Sequence, residues 1–165
     1  MKVSVSRATD RPRGLLYVVA ALSLLAGLTH LWVMPEHFEE WWGYGAFFLV
    51  AAAAQVLYVP LLLRWTNRTV LLLGIGGNSA IVLLYLLTRV VGIPLFGSEA
   101  WEVEGVGIID LCATTSEVAI VVALGTLVLM AIARERTTLL GLVLAAVLLV
   151  GAHLPHVLLL LVALL

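Results

Sequence analysis

The chain has 165 residues, is 63% hydrophobic and only 12% charged, and carries a net charge of -1. Soluble domains of similar length hold about 45–50% apolar and about 25% charged residues. The composition therefore excludes a water-soluble globular domain, and the near-zero charge excludes a broad attraction to nucleic acid. A mean hydropathy of +1.16 needs lipid as part of the solvent, so the chain reads as an integral membrane protein in a lipid bilayer. The single cysteine, Cys112, rules out an internal disulfide framework and any CxxC metal or redox motif.

The first 13 residues contain "KVSVSRATDRPR", a basic segment. An apolar run follows, from Gly14 to Met34. It is longer than the roughly 7–15 residues of a signal-peptide core and ends in no clear A-x-A site, so it reads as a retained first span, about 14–34. The stretch "THLWVMPEHFEEWWGYG" (29–45) then reads as an outer turn, with His37 after Pro35 in a loop free to fold back over the bundle. Trp32, Trp41, Trp42 and Tyr44 suit an interfacial aromatic belt. Glu39 and Glu40 precede the second span, where negative charge complements a helix dipole.

The second span covers about 41–63 and ends at "RWTNR". Asn67-Arg68-Thr69 matches the glycosylation pattern but lies in a very short turn on the expected inner side. The third span, about 69–92, holds "GIGGN", which reads as small-residue helix packing rather than a nucleotide loop. An outer loop with Glu99, Trp101, Glu102 and Glu104 leads to a fourth span, about 106–133. "RER" separates it from a fifth, about 137–165, where Pro155 and Gly151 predict a kink. The expected fold is all-α: a basic cytoplasmic segment (1–13) and one bundle of five transmembrane helices (14–165).

Lys2, Arg7, Arg11, Arg13, Arg64, Arg68, Arg134 and Arg136 fall on one side of such a bundle. The positive-inside rule makes that side cytoplasmic, with the N-terminus inside and the C-terminus outside. The acidic loops, with Glu36 and Arg89, fall outside.

Polar side chains inside spans are costly and usually face the bundle interior. Each expected span carries at least one: His30, then Gln55, then Asn78, then Asp110 and Glu117, then His153 and His156. Asp110, Thr114 and Glu117 stand at i, i+4 and i+7 and share a face. His30 and Met34 are i, i+4. Gln55, Asn78 and Arg89 read as structural polar residues. His30, His37, Asp110, Glu117, His153 and His156, with Met34 and Glu36 as additional donors, form a candidate outward-facing transition-metal site for copper or zinc. A single haem b held by two histidines such as His30 and His153 is an alternative. A zinc-dependent intramembrane hydrolase with Glu117 as base is another, although no HExxH motif supports it. A non-catalytic subunit in a homo-oligomer or membrane complex, its polar residues merely joining helices, is the fourth. Catalysis is not the favoured expectation.

The blocks "GLTHLWVMPEHFEEWWGYGAFFLVAAAAQ", "GIGGNSAIVLLYLLTRVVGIP" and "EVEGVGIIDLCATTSE" resemble a recurrent family of small multi-pass bacterial membrane proteins. The resemblance covers about residues 20–120. It implies the bacterial inner (cytoplasmic) membrane and carries no catalytic assignment.

Overall fold

The structure, a computed structural model, describes residues 13–92 and 101–163, with side chains over 13–92 and 101–145. The described residues form four helices: α1 (Arg13–Glu40), α2 (Trp42–Arg64), α3 (Arg68–Val90) and α4 (Ile108–Ala163). All four are long and apolar enough to cross a membrane. Apolar side chains such as Val50, Leu57, Leu73 and Leu83 are exposed, as expected of helices whose outer faces meet hydrocarbon rather than water. The chain divides into two compact units, Met1–Leu127 and Val128–Leu165. The first contains α1, α2, α3 and the opening turns of α4.

Small residues let α1 and α2 approach closely. A Cβ on Gly27 would lie 3.2 Å from the Ala52 carbonyl oxygen and 3.0 Å from a Val56 methyl. Beside it, the buried Ser23 hydroxyl donates to the Gln55 carbonyl at 2.9 Å. Such backbone contact is the usual basis of helix association in lipid. The core continues through Val19, Leu62, Ile120 and Leu124, all fully buried.

The connection between α1 and α2 differs from the sequence reading. α1 does not stop before Pro35 but runs through it to Glu40, so His37 is helical and not in a loop. Proline removes one backbone donor. The His37 ring offers an extra bond nearby, with Nδ1 donating to the Val33 carbonyl at 2.9 Å. The Phe38 ring fills the space over Gly45, where a Cβ would fall 2.1 Å from the ring. The connection to α2 is Trp41 alone, in an extended conformation. Glu39 and Glu40 thus occupy the last turn of α1, two residues and one residue before that connection.

Asn67 has a structural task that its glycosylation pattern hides. It is the N-cap of α3, its side chain accepting from the Val70 backbone N–H at 2.9 Å. Asn67→Ala is expected to cost about 1 kcal/mol, read as a lower melting temperature of the detergent-solubilised protein. An unchanged melting temperature would contradict the cap.

The glycine run contributes one packing glycine, not three. A Cβ on Gly74 would fall 2.2 Å from Tyr58 Oη and 2.6 Å from Leu124 Cδ1, whereas Gly76 and Gly77 face open space. Cys112 is exposed.

The helical backbone is continuous through Arg134, Glu135 and Arg136, where the sequence reading placed a turn between two spans. That stretch contains neither glycine nor proline, and arginine and glutamate are good helix formers. The Thr137 and Thr138 hydroxyls donate back to the Arg134 carbonyl at 2.9 and 2.8 Å. His153, His156, Gly151 and Pro155 lie outside the residues whose side chains are described.

Candidate functional site

Four helices of the first unit each deliver one polar side chain to a buried layer. α1 brings His30, α2 Gln55, α3 Asn78 and α4 Glu117, with relative exposures of 5%, 4%, 5% and 1%. His30 Nε2 lies 2.8 Å from Glu117 Oε1. Gln55 Nε2 donates to that same oxygen at 3.0 Å and to Asn78 Oδ1 at 3.3 Å. Asn78 Nδ2 donates in turn to the Gly74 carbonyl at 2.8 Å. Because Gln55 can only donate through its nitrogen, Glu117 Oε1 is an acceptor, and His30 Nε2 is the natural bearer of the proton between them. Gln55 Oε1 is buried and has no partner among the described residues. A buried polar atom in that state costs free energy, so the network is specified but incompletely satisfied.

A second cluster lies two helical turns nearer the start of α4. Arg89, in the last turn of α3, holds Asp110 at 2.7 Å through Nη2 and binds Glu104 and the Thr88 hydroxyl through Nη1. Asp110 also accepts from the Gly107 backbone N–H at 3.1 Å, an N-terminal arrangement that secures the first turn of α4. The Arg89 guanidinium stands over the Tyr85 ring, 4.7 Å from its centre. Its Nε is buried without a partner among the described residues. The approach to this cluster is tightly wound: Gly92 has φ +81 and Trp101 φ 71. A Cβ on Gly92 would come within 2.5 Å of the Glu102 carbonyl oxygen.

The two clusters border one cavity of about 590 Å³. That is within the usual range of about 300–1,000 Å³ for small-molecule sites. Asp110, Thr114 and Glu117 line it from α4, as their i, i+4, i+7 spacing predicts. His30, Glu36, His37 and Glu40 line it from α1. Its aromatic wall includes Phe48, whose ring packs 4.0 Å from His37 and 5.5 Å from His30, centre to centre.

The candidate residues therefore separate. His30 and Glu117 meet directly. Glu36 and His37 face the same cavity, while Met34 is not among the lining residues. Asp110 is drawn to Arg89 rather than to His30. Among the described residues, no group of three or more His, Cys, Asp or Glu side chains could hold a metal ion. His153 and His156 fall outside that description. Gln55 and Asn78 do join helices, and Gln55 also donates to Glu117 of the pair. Glu104 was not singled out as a site residue in the sequence. Its one signal was its place in an acidic loop following the only arginine on the expected outer side.

No family model, curated protein or solved structure matches this chain.

Proposed function

We propose that this is a multi-pass membrane protein that takes a small ligand from the outer side of the membrane into the cavity of its first unit. The ligand is held near the His30–Glu117 pair. The observation carrying this reading is a buried ionisable pair on the wall of a ligand-sized cavity, with side chains from α1 and α4 contributing to both. An intramembrane ionisable residue facing a cavity is, on physical grounds, a functional residue before it is a structural one.

In this reading the chain crosses the bacterial inner membrane five times. α4 has 56 residues, where a bilayer core of about 30 Å needs about 20. For this, the helix has to break near Arg134 and Arg136, set at the cytoplasmic face, so that the apolar remainder can return to the outside. The distribution of basic residues supports an inside N-terminus and an outside C-terminus. The cavity, bordered by the end of α1 and the start of α4, opens outward.

The test uses Cys112→Ser/Thr114→Cys in intact cells. A membrane-impermeant thiol reagent is expected to label Thr114→Cys from outside, and triphenylphosphine oxide, a neutral probe of suitable size, is expected to slow the labelling. Labelling only after permeabilisation would overturn the outward opening. Labelling indifferent to the probe would overturn ligand capture. A cysteine appended after residue 165 should label from the same side.

A copper or zinc ion is the second reading, favoured by one observation: an imidazole nitrogen and a carboxylate oxygen, both suitable first-row metal donors, face each other across 2.8 Å. His30 and Glu117 would hold the ion, with Glu36 and His37 on the same cavity wall. Elemental analysis and an absorption spectrum of the purified protein check this reading. Stoichiometric metal supports it, a Soret band would point instead to haem b, and neither would leave the small-molecule reading in place.

A further inference from the structure

The charge and lining of the cavity point to the chemistry of its ligand. Five carboxylates border it: Glu36, Glu40, Glu104, Asp110 and Glu117. Arg89 is the one lysine or arginine among the lining residues, and its two terminal nitrogens already bind Glu104, Asp110 and Thr88. His30 and His37 line the same space. An anion entering this space would meet an excess of negative charge and would have to displace two carboxylates from their guanidinium. A cation meets an excess of carboxylates over guanidinium on the lining.

The walls decide between a hydrated inorganic cation and an organic one. Trp41, Tyr44, Phe47, Phe48 and Tyr85 line the cavity, together with Val33, Ile81 and Leu84. Aromatic faces attract cations through their quadrupoles, and most strongly when the cation carries little hydration. Apolar walls favour a ligand with an apolar body. We infer that the cavity binds an organic cation: an amine or quaternary ammonium group on an apolar scaffold, with Glu117 as the inner counter-charge and Glu36 and Glu40 attracting it near the entrance. This rests on the cavity being a ligand site, as proposed above.

The experiment compares three probes of similar build on the purified full-length chain in non-ionic detergent: tetraphenylphosphonium, triphenylphosphine oxide and tetraphenylborate. Equilibrium dialysis is expected to show saturable binding of the phosphonium, about tenfold or more tighter than the neutral oxide, with no saturable binding of the borate. Glu117→Gln should weaken the phosphonium about tenfold and leave the neutral oxide nearly unchanged. Should Glu117→Gln fail to fold, Thr114→Phe, which narrows the cavity beside the buried pair and keeps that pair, should weaken binding of both.

Equal affinity for phosphonium and oxide would overturn the cation assignment and leave the cavity reading standing. Preference for the borate would do the same, with Arg89 as the selecting group. Saturable binding of none of the probes would overturn both. Phosphonium binding insensitive to Glu117→Gln and to Thr114→Phe would place it elsewhere and overturn the inference. Where the inference holds, competition by phosphatidylethanolamine assigns the natural ammonium to a lipid headgroup. Competition only by tetrabutylammonium assigns it to a soluble amine.

Discussion

Replacing His30 by alanine is expected to destabilise the folded protein by about 3–5 kcal/mol. Glu117 is 1% exposed, and its Oε1 accepts from His30 and Gln55. Without His30 the carboxylate keeps an amide partner but loses the only ionisable group that the structure places on it. The cost arises from the group left behind, not from the bond removed, because a buried carboxylate cannot recover its hydration. The companion prediction separates stability from function. His30→Leu/Glu117→Met removes both members and replaces them with apolar groups of similar size, and such exchanges are often neutral. The double variant should regain most of the stability lost by His30→Ala while losing phosphonium binding. Equilibrium unfolding in mixed micelles and the dialysis assay read the two effects independently. A double variant as unstable as the single one would show that the pair is a structural necessity.

The second large effect is expected at Gly74. Gly74→Val should cost about 2–3 kcal/mol, in the upper range for overpacking. The new Cβ would collide with both Tyr58 Oη and Leu124 Cδ1. Tyr58 is 8% exposed, and its hydroxyl donates to the Val70 carbonyl at 3.1 Å, so moving the ring also breaks a buried bond. The collision predicts a specific suppressor. Gly74→Ala should be markedly less harmful when combined with Tyr58→Leu than alone, because the smaller side chain vacates the contested volume. Additive losses in the double variant would place the source of the damage elsewhere. Gly76→Ala, one turn-fraction away and facing open space, is the internal control and should be close to neutral.

Much of this site was legible in the sequence because polar residues in apolar spans are conspicuous. His30, Gln55, Asn78 and Glu117 stand out against their neighbours, and helical spacing alone places Asp110, Thr114 and Glu117 on one face. Their pairing was not legible. Asp110 and His30 appeared to share a layer, yet Asp110 turns to Arg89, 21 residues earlier in the chain. A guanidinium offers a carboxylate a stronger, charge-assisted bond than an imidazole does, and which partner lies within reach depends on how α3 meets α4. Met34 stays out of the cavity lining for a related reason: the i, i+4 relation to His30 fixes an approximate face but not whether that face curves towards the cavity. The α1–α2 connection misled through Pro35. Proline is a helix-stopping signal when its lost bond matters, and here the His37 ring and the Phe38–Gly45 contact hold the helix together beyond it.

The order in which this network is synthesised follows from its place in the sequence. Glu117 comes 87 residues after His30 and 62 after Gln55. At a translation rate of about 5–20 residues per second, His30 precedes it by roughly 4–17 seconds. The three earlier helices thus emerge from the ribosome carrying only neutral amides or an imidazole in this layer. The ionisable carboxylate arrives last, when its histidine, glutamine and neighbouring asparagine have already been made. A chain with Glu117 in its first helix would have to expose that carboxylate to lipid, or to the insertion machinery, until its partners appeared. Moving the carboxylate to position 30 and the imidazole to position 117 preserves the pair on paper but reverses that sequence of events, so its yield in the membrane would report on biogenesis rather than on equilibrium.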